Sequence, residues 1–208
     1  MKKVCTVTYH NVGINYGQTL QAYALQAALN KMGYDNILLN YNSPLGQYKY
    51  NRLFFLNRYA DAGANCFYKQ LKFDLFIKKY IKLTDACFNS EQIREILDKQ
   101  QITHLVCGSD QIWNPSGMDA VYFLEYGNKK ENRVKISYAA SMCSKAVMEQ
   151  FKGKHTLLKH LIEKVDYISM REQSGVEIVK ELTGKDAVNV LDPTLLLNRK
   201  HWSKIGRK

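Results

Sequence analysis

Polar and charged residues stand where two predicted strands of this chain end. Gly108, Ser109 and Asp110 follow one apolar run, and Arg171 follows another. A carboxylate at the position of Asp110 can accept a proton or hold a sugar hydroxyl, so Asp110 is the candidate catalytic residue. The guanidinium of Arg171 can bind a carboxylate or phosphate through two parallel hydrogen bonds. Structural roles stay open, because Asp110 can cap the next turn and Arg171 can form a surface salt bridge to Glu172 or Asp192.

Further candidate ligand-binding residues flank these two. Ser137 and Ser141 belong to the end of a run rich in β-branched and small residues, which predicts a neighbouring strand. Trp113 can form an aromatic platform for the face of a sugar, or it can belong to the core. Asp192 precedes a proline and is interpreted as a turn residue.

The strand, loop and helix at the start of the chain offer a candidate site for an anion or a sugar hydroxyl. The loop has glycines at positions 13 and 17, which match neither the dinucleotide fingerprint nor the phosphate-binding loop of nucleotide triphosphatases. Free N–H groups at a helix start can bind an anion, whereas the alternative is a tight turn that requires glycine. The candidate binding residues here are Asn15, Tyr16, Gly17 and Gln18.

Strand-like and helix-like segments alternate along the chain and predict the elements that position these residues. The alternation predicts an α/β fold with a Rossmann-like, doubly wound, mostly parallel sheet. Ligands bind beyond the carboxyl ends of strands in such sheets, which is where the candidate residues stand. The predicted strands cover 3–10, 37–41, 103–107, 134–141, 166–171 and 187–191, and the predicted helices cover 18–32, 90–100, 144–165 and 172–182.

Residues 44–89 interrupt this alternation with interleaved aromatic and basic side chains. Their spacing predicts an amphipathic helix that carries Phe67, Leu71, Leu75, Lys78 and Lys79. Its basic face can lie on an anionic membrane or cover the crevice, or the helix can pack on the core with its lysines in water. We therefore expect a domain over 1–197 with a helical insertion at about 44–89.

Composition limits the classes of function. The net charge of +11 favours an anionic substrate or a lipid headgroup surface, and no nucleic-acid-binding signature accompanies it. The five cysteines and five histidines show no metal-ligand spacing, so we predict no metal and no cofactor. The first strand begins without an apolar leader, which predicts a cytoplasmic protein.

Five sequence blocks, in the right order, resemble the polysaccharide pyruvyl transferase family. They are Asn15–Leu25, Gly108–Asn114, Ile136–Ser141, Ile168–Arg171 and Leu191–Leu196. The resemblance implies the N-terminal half of a two-domain enzyme similar to GT-B glycosyltransferases, with 198–208 as the start of a linker or C-terminal domain. It further implies transfer of a pyruvate ketal from phosphoenolpyruvate to a sugar of a cell-surface polysaccharide or its lipid-linked precursor, at the inner face of the membrane.

The resemblance also implies roles for particular residues. The loop at Asn15 to Gln18 and the strand ends at Ser109, Asp110, Ser137 and Ser141 would line the acceptor side, with Arg171 as an anion contact. Because the sequence stops at Lys208, a C-terminal domain or partner subunit is expected to supply further basic residues for phosphoenolpyruvate. Two alternatives remain: a glycosyltransferase of similar architecture, and a non-catalytic glycan-binding or scaffold domain.

Overall fold

A single sheet of seven parallel strands forms the centre of the molecule, in the order β3-β2-β1-β4-β5-β6-β7. The computed structural model describes residues 2–10, 15–43, 63–126 and 132–206. The strands are β1 (Lys3–Val7), β2 (Asp35–Tyr41), β3 (Leu83–Cys87), β4 (His104–Cys107), β5 (Val134–Ala140), β6 (Tyr167–Met170) and β7 (Val188–Asn189). The predicted α/β fold with a Rossmann-like, doubly wound sheet is confirmed.

Helices cover both faces of this sheet. They are α1 (Tyr16–Lys31), α2 (Gly63–Tyr80), α3 (Ser90–Lys99), α4 (Lys145–Gln150), α5 (His155–Glu163), α6 (Gln173–Thr183) and α7 (Arg199–Ile205). One face packs against α1, α2 and α7, and the opposite face packs against α3, α5 and α6. No helix within the described ranges combines the length and apolar character that crossing a bilayer requires.

The two-residue period of the strands divides the core between these faces. On β1, Val4 packs with Leu25 of α1, whereas Cys5 and Val7 belong to the cluster on the opposite face. Successive side chains of a strand point to opposite faces, so a strand covered on both sides must be apolar at nearly every position. The β-branched run in β1 therefore produces a central strand of a parallel sheet.

The centre of the sheet contains the point at which strand order reverses. β1 pairs with β2 on one side and with β4 on the other, both in parallel. The chain after β1 enters α1 on one face, whereas the chain before β4 comes from α3 on the opposite face. Connections thus diverge between β1 and β4 and leave a crevice at their carboxyl ends.

Two predicted segments differ from the structure in detail. Part of the predicted insertion at 44–89 is β3, an edge strand that pairs with β2. The predicted helix over 144–165 is divided by a short 3-10 helix at Lys152–Lys154. The glycine at position 13, residues 44–62 and the side chain of Phe67 lie outside the described residues.

Candidate functional site

Ser109 is the centre of a buried hydrogen-bond network at the crevice. Its N–H group donates to Oε1 of Gln21 (3.0 Å), and its carbonyl oxygen accepts from Oγ1 of Thr8 (2.9 Å). Its hydroxyl lies 3.0 Å from both the Ala139 carbonyl oxygen and Oδ2 of Asp192. Ser109 therefore joins the ends of β1, β4 and β5 to the segment that follows β7.

Gln21 connects this network to the first turn of α1. Its Nε2 group donates to Oγ1 of Thr8 and to the carbonyl oxygens of Tyr9 and Gln18, at 2.9 to 3.0 Å. The side chain is 2% exposed. A buried amide that is fully bonded is costly to move, so Gln21 fixes the start of α1 against the end of β4.

Asp110 stands at the end of β4 with one carboxylate oxygen bonded and the other unused. Its Oδ1 accepts from the N–H group of Gln111 (2.8 Å), so the predicted turn-capping role is present. Its Oδ2 is buried and has no hydrogen-bond partner among the described residues. Burial raises the pKa of Asp110 above its ordinary value, and the nearby Arg171 acts in the opposite direction. A buried carboxyl group with an unused oxygen is placed to accept or donate a proton.

Arg171 lies close to Asp110 and is held by two other acids. Its Nε is 3.1 Å from Oε1 of Glu172, and its Nη1 is 3.3 Å from Oδ2 of Asp192. The alternative that this arginine forms salt bridges is therefore observed. Glu172 and Asp192 pair with this guanidinium and Asp110 lies near it, so its immediate surroundings are acidic although the chain as a whole is strongly basic.

Asp192 bonds to both Ser109 and Arg171, so it does more than the predicted turn residue. Its Oδ1 accepts from both the N–H group and the hydroxyl of Thr194, at 2.9 and 2.7 Å. Burial acts to raise the pKa of Asp192, but hydrogen bonds from Thr194, Ser109 and Arg171 together lower it below its ordinary value. Asp192 is thus an ionised anchor, whereas Asp110 is the protonatable member of the pair.

Aromatic side chains border Asp110 on the side of β1 and β2. The rings of Tyr9 and Tyr122 meet edge to face with centroids 4.6 Å apart, and the hydroxyl of Tyr41 donates to Asp119. Burial, with the nearby carboxylates of Asp110 and Asp119, raises the pKa of Tyr9 to about 12. Tyr9 is partly exposed and so presents a neutral aromatic surface beside Asp110.

The prediction of an exposed aromatic platform at Trp113 is wrong. Its indole is fully buried, stacks on Phe123 with centroids 5.1 Å apart, and donates from Nε1 to the carbonyl oxygen of Tyr122. The core alternative is correct because the residues after β4 fold inward. Trp113 therefore has a packing role in the core.

Ser109, Ser137 and Ser141 do not line the crevice as predicted, since they are 0%, 1% and 1% exposed. Ser137 and Ser169 exchange side-chain and backbone hydrogen bonds of 2.8 to 3.1 Å, at the point where the β5–β6 register shifts. These bonds replace ladder hydrogen bonds that the irregularity removes. The backbone of Ser141 bonds to Asp110 and Trp113, so it braces the loop after β4.

Gly108 has a structural role that its type explains. Its φ of +117° is a conformation that side chains rarely adopt, and an added Cβ would lie 2.0 Å from the Tyr138 carbonyl oxygen. Only glycine allows β4 to pass so close to β5 before it turns into Ser109.

The predicted binding residues of α1 lie at its N-terminus, as expected from the sequence. Asn15 caps the helix by accepting from the N–H group of Gln18 (3.3 Å), and Gly17 approaches the same side chain. Tyr16 is 66% exposed, and its ring lies 4.8 Å from that of Phe73 on α2. Through Gln21, this turn is joined to Ser109, so the structure brings the first and central blocks together.

Sequence reasoning missed the roles of Thr8, Tyr9 and Gln21, and it gave Asp192 as a turn residue or a salt-bridge partner of Arg171 without its bond to Ser109. Gln21 falls within the first of the five sequence blocks but carries no local signal, because its partners lie on other elements. Asp192 directly follows the predicted strand over 187–191, which was the available signal, but the adjacent proline favoured a turn. Across the described segments, no three His, Cys, Asp or Glu side chains are placed to hold a metal ion together.

Of three comparisons with known proteins, one gives a match, and that match agrees with the five sequence blocks. Comparison with curated proteins and with solved structures gives no significant match. A family model described as polysaccharide pyruvyl transferase matches residues 15–208, a range that contains the cluster around Ser109, Asp110, Arg171 and Asp192. The chain belongs to the polysaccharide pyruvyl transferase family.

Proposed function

We propose that this chain binds a sugar acceptor at the carboxyl edge of its sheet and takes part in pyruvate ketal transfer from phosphoenolpyruvate. Family membership supports a transferase. The observation that carries the chemistry is Asp110, whose buried Oδ2 has no partner among the described residues. A carboxyl group with a raised pKa and an unused oxygen can accept a hydroxyl proton as that hydroxyl attacks.

The reaction that we propose balances without an oxidant or reductant. The enol methylene of phosphoenolpyruvate gains a proton, and one sugar hydroxyl adds to the adjacent carbon. A second hydroxyl closes the ketal as the bond to phosphate breaks, and inorganic phosphate leaves. Asp110 carries the proton of an attacking hydroxyl, Tyr9 offers the sugar an aromatic face, and Asp192 holds Ser109 and Arg171 in position.

Charge at this edge favours the acceptor over the donor. Glu172 and Asp192 pair with Arg171 and Asp110 lies near it, so these three acids would repel a donor that carries both phosphate and carboxylate groups. We therefore propose that a C-terminal domain or a partner subunit supplies most of the donor's cationic contacts. Arg171 would add one contact to the donor, through the N–H groups that are not engaged in its salt bridges to Glu172 and Asp192. The acceptor is a polysaccharide sugar or its lipid-linked precursor, modified in the cytoplasm where phosphoenolpyruvate is made.

The test is acceptor-dependent release of inorganic phosphate from phosphoenolpyruvate by the protein purified from its own cell. We expect Asp110→Asn to lower kcat by about a hundred- to ten-thousandfold with a small change in KM, because it removes the proton acceptor and keeps the shape. Asp186→Asn is the matched control, since Asp186 is exposed and pairs only with Lys180 in the described structure. Equal turnover in both variants would contradict the role of Asp110.

A ligand-shift melt separates this function from a glycosyltransferase or a scaffold. A ligand that binds only the folded state raises Tm, by an amount that grows with the ratio of its concentration to its Kd. We expect phosphoenolpyruvate, and not a nucleotide sugar, to raise the Tm of the purified protein. A rise in Tm with the nucleotide sugar alone would favour the glycosyltransferase. An unchanged Tm with both donors would favour the scaffold.

A further inference from the structure

The outward face of α2 carries an apolar stripe with lysines on both sides. Tyr68, Leu71 and Leu75 are 56%, 43% and 56% exposed, and they recur at spacings of three and four residues. That spacing places them in one row along the helix. Scattered exposed apolar residues are ordinary, whereas a row of three on one helix forms a continuous surface.

The lysines of α2 flank this row. Lys72 and Lys79 lie on one side of it and Lys78 lies on the other, as helical spacing requires. All three are exposed. The amine of Lys72 reaches back over the ring of Tyr68, 4.2 Å from its centroid, so its alkyl chain covers apolar surface while its charge stays in water. Asp74 is the one acidic residue in the sequence of this helix.

The opposite face of α2 packs against the rest of the domain. Phe73 is buried, and Phe76 and Ile77 pack with Tyr23 of α1 and with Leu38 of β2. The helix is thus fixed to the domain by one face and presents the stripe with the other. An apolar row bordered by basic residues is the pattern of a helix that lies in the interface of an anionic bilayer.

We propose that Tyr68, Leu71 and Leu75, with their flanking lysines, seat this domain on an anionic membrane surface. Charge complementarity selects this occupant: each lysine near a negatively charged leaflet favours binding about fivefold, and the three apolar side chains enter the headgroup boundary. The proposal does not depend on the transfer chemistry, and its test measures vesicle binding, not turnover.

The apolar stripe on α2 lies near the edge of the sheet that carries the candidate site. Tyr16, at the start of α1, packs on Phe73 of α2, and the same turn of α1 is joined through Gln21 to Ser109. The N-terminal end of the stripe therefore lies toward the edge of the sheet that carries Asp110. If the proposed function holds, this arrangement brings that edge to the surface where a lipid-linked sugar is displayed.

The test is co-sedimentation of the full chain with vesicles that contain phosphatidylglycerol and with vesicles of phosphatidylcholine alone. We expect binding to the anionic vesicles that weakens as salt is added, because screening removes the lysine contribution. The Leu71→Gln/Leu75→Gln variant is expected to lose about tenfold in partitioning, since it removes the apolar anchor. Its control is Leu157→Gln/Leu195→Gln, which changes two leucines that are 49% and 66% exposed on other elements.

A charge-matched pair separates this face from the general basicity of the chain. Lys72→Gln/Lys79→Gln and Lys152→Gln/Lys159→Gln both lower the net charge by two, but only the first changes α2. We expect the first pair to lose at least about tenfold in binding and the second to stay near the unaltered protein. Equal losses, equal binding to both kinds of vesicle, or no binding would each overturn the proposal. Self-association that only the leucine variant of α2 abolishes would assign this face to a protein partner instead.

Discussion

The ends of β4 and β5 are neighbours in the sheet and similar in sequence, yet they do different work. Both pass from an apolar run into small and polar residues. At the end of β4, Asp110 has a φ of +75° and a carboxylate oxygen with no partner in the described structure. At β5, Ser137 and Ser141 are buried and use their polar groups to hold neighbouring backbone. The unsatisfied carboxylate oxygen, more than polar residue type, is what distinguishes the end of β4, which we propose to be the reactive end.

The close contact between the two ends gives the largest expected effect. Gly108→Ala places a Cβ atom 2.0 Å from the Tyr138 carbonyl oxygen and forces an unfavourable φ. We expect it to lower the free energy of unfolding by more than about 3 kcal/mol, measured by urea denaturation. Gly117→Ala is the control, because nothing lies within 4 Å of its added carbon. Similar stability of the two variants would show that β4 and β5 can separate at little cost.

Ser137→Ala tests the structural end alone. The change removes the donor to the Ser169 carbonyl oxygen and leaves the Ser169 N–H group without its acceptor. We expect the free energy of unfolding to fall by about 1 to 2 kcal/mol, while kcat and KM stay unchanged. Ser203→Ala, at an exposed hydroxyl on α7, should alter stability much less. A fall in kcat without a fall in stability would return Ser137 to the substrate site.

Asp110→Asn tests the reactive end through stability, with the smallest expected effect. Because burial raises the folded pKa of Asp110 above its unfolded value, ionising it costs stability as pH rises through that interval. We therefore expect the asparagine variant to be more stable at pH 7.5 by less than about 1 kcal/mol, with no gain below the unfolded pKa of about 4. Thermal melts at both pH values measure it. A variant less stable at pH 7.5 would mean that the carboxylate is held favourably.

The sequence predicted those features that depend on local pattern. The alternation of apolar periods predicted the strands and helices, and position after a strand predicted that Asp110 and Arg171 stand at one edge. Contacts between distant segments were not visible: Ser109 and Asp192 are 83 residues apart in the chain. Trp113 was ambiguous for the same reason, since its burial depends on Phe123 and Tyr122 folding over it.

The network around Ser109 also constrains the order in which parts of the protein can fold during synthesis. Thr8, Gln21, Ala139 and Asp192 converge on this one residue from the first tenth to the last tenth of the sequence. Contacts of such long sequence separation form late, because the intervening chain must first be ordered. During translation, the strands near the N-terminus can pair before the ribosome has released residue 192. The cluster around Ser109 is complete only after that residue emerges, whereas β1, β2 and β4 lie far earlier in the chain and can pair before it forms.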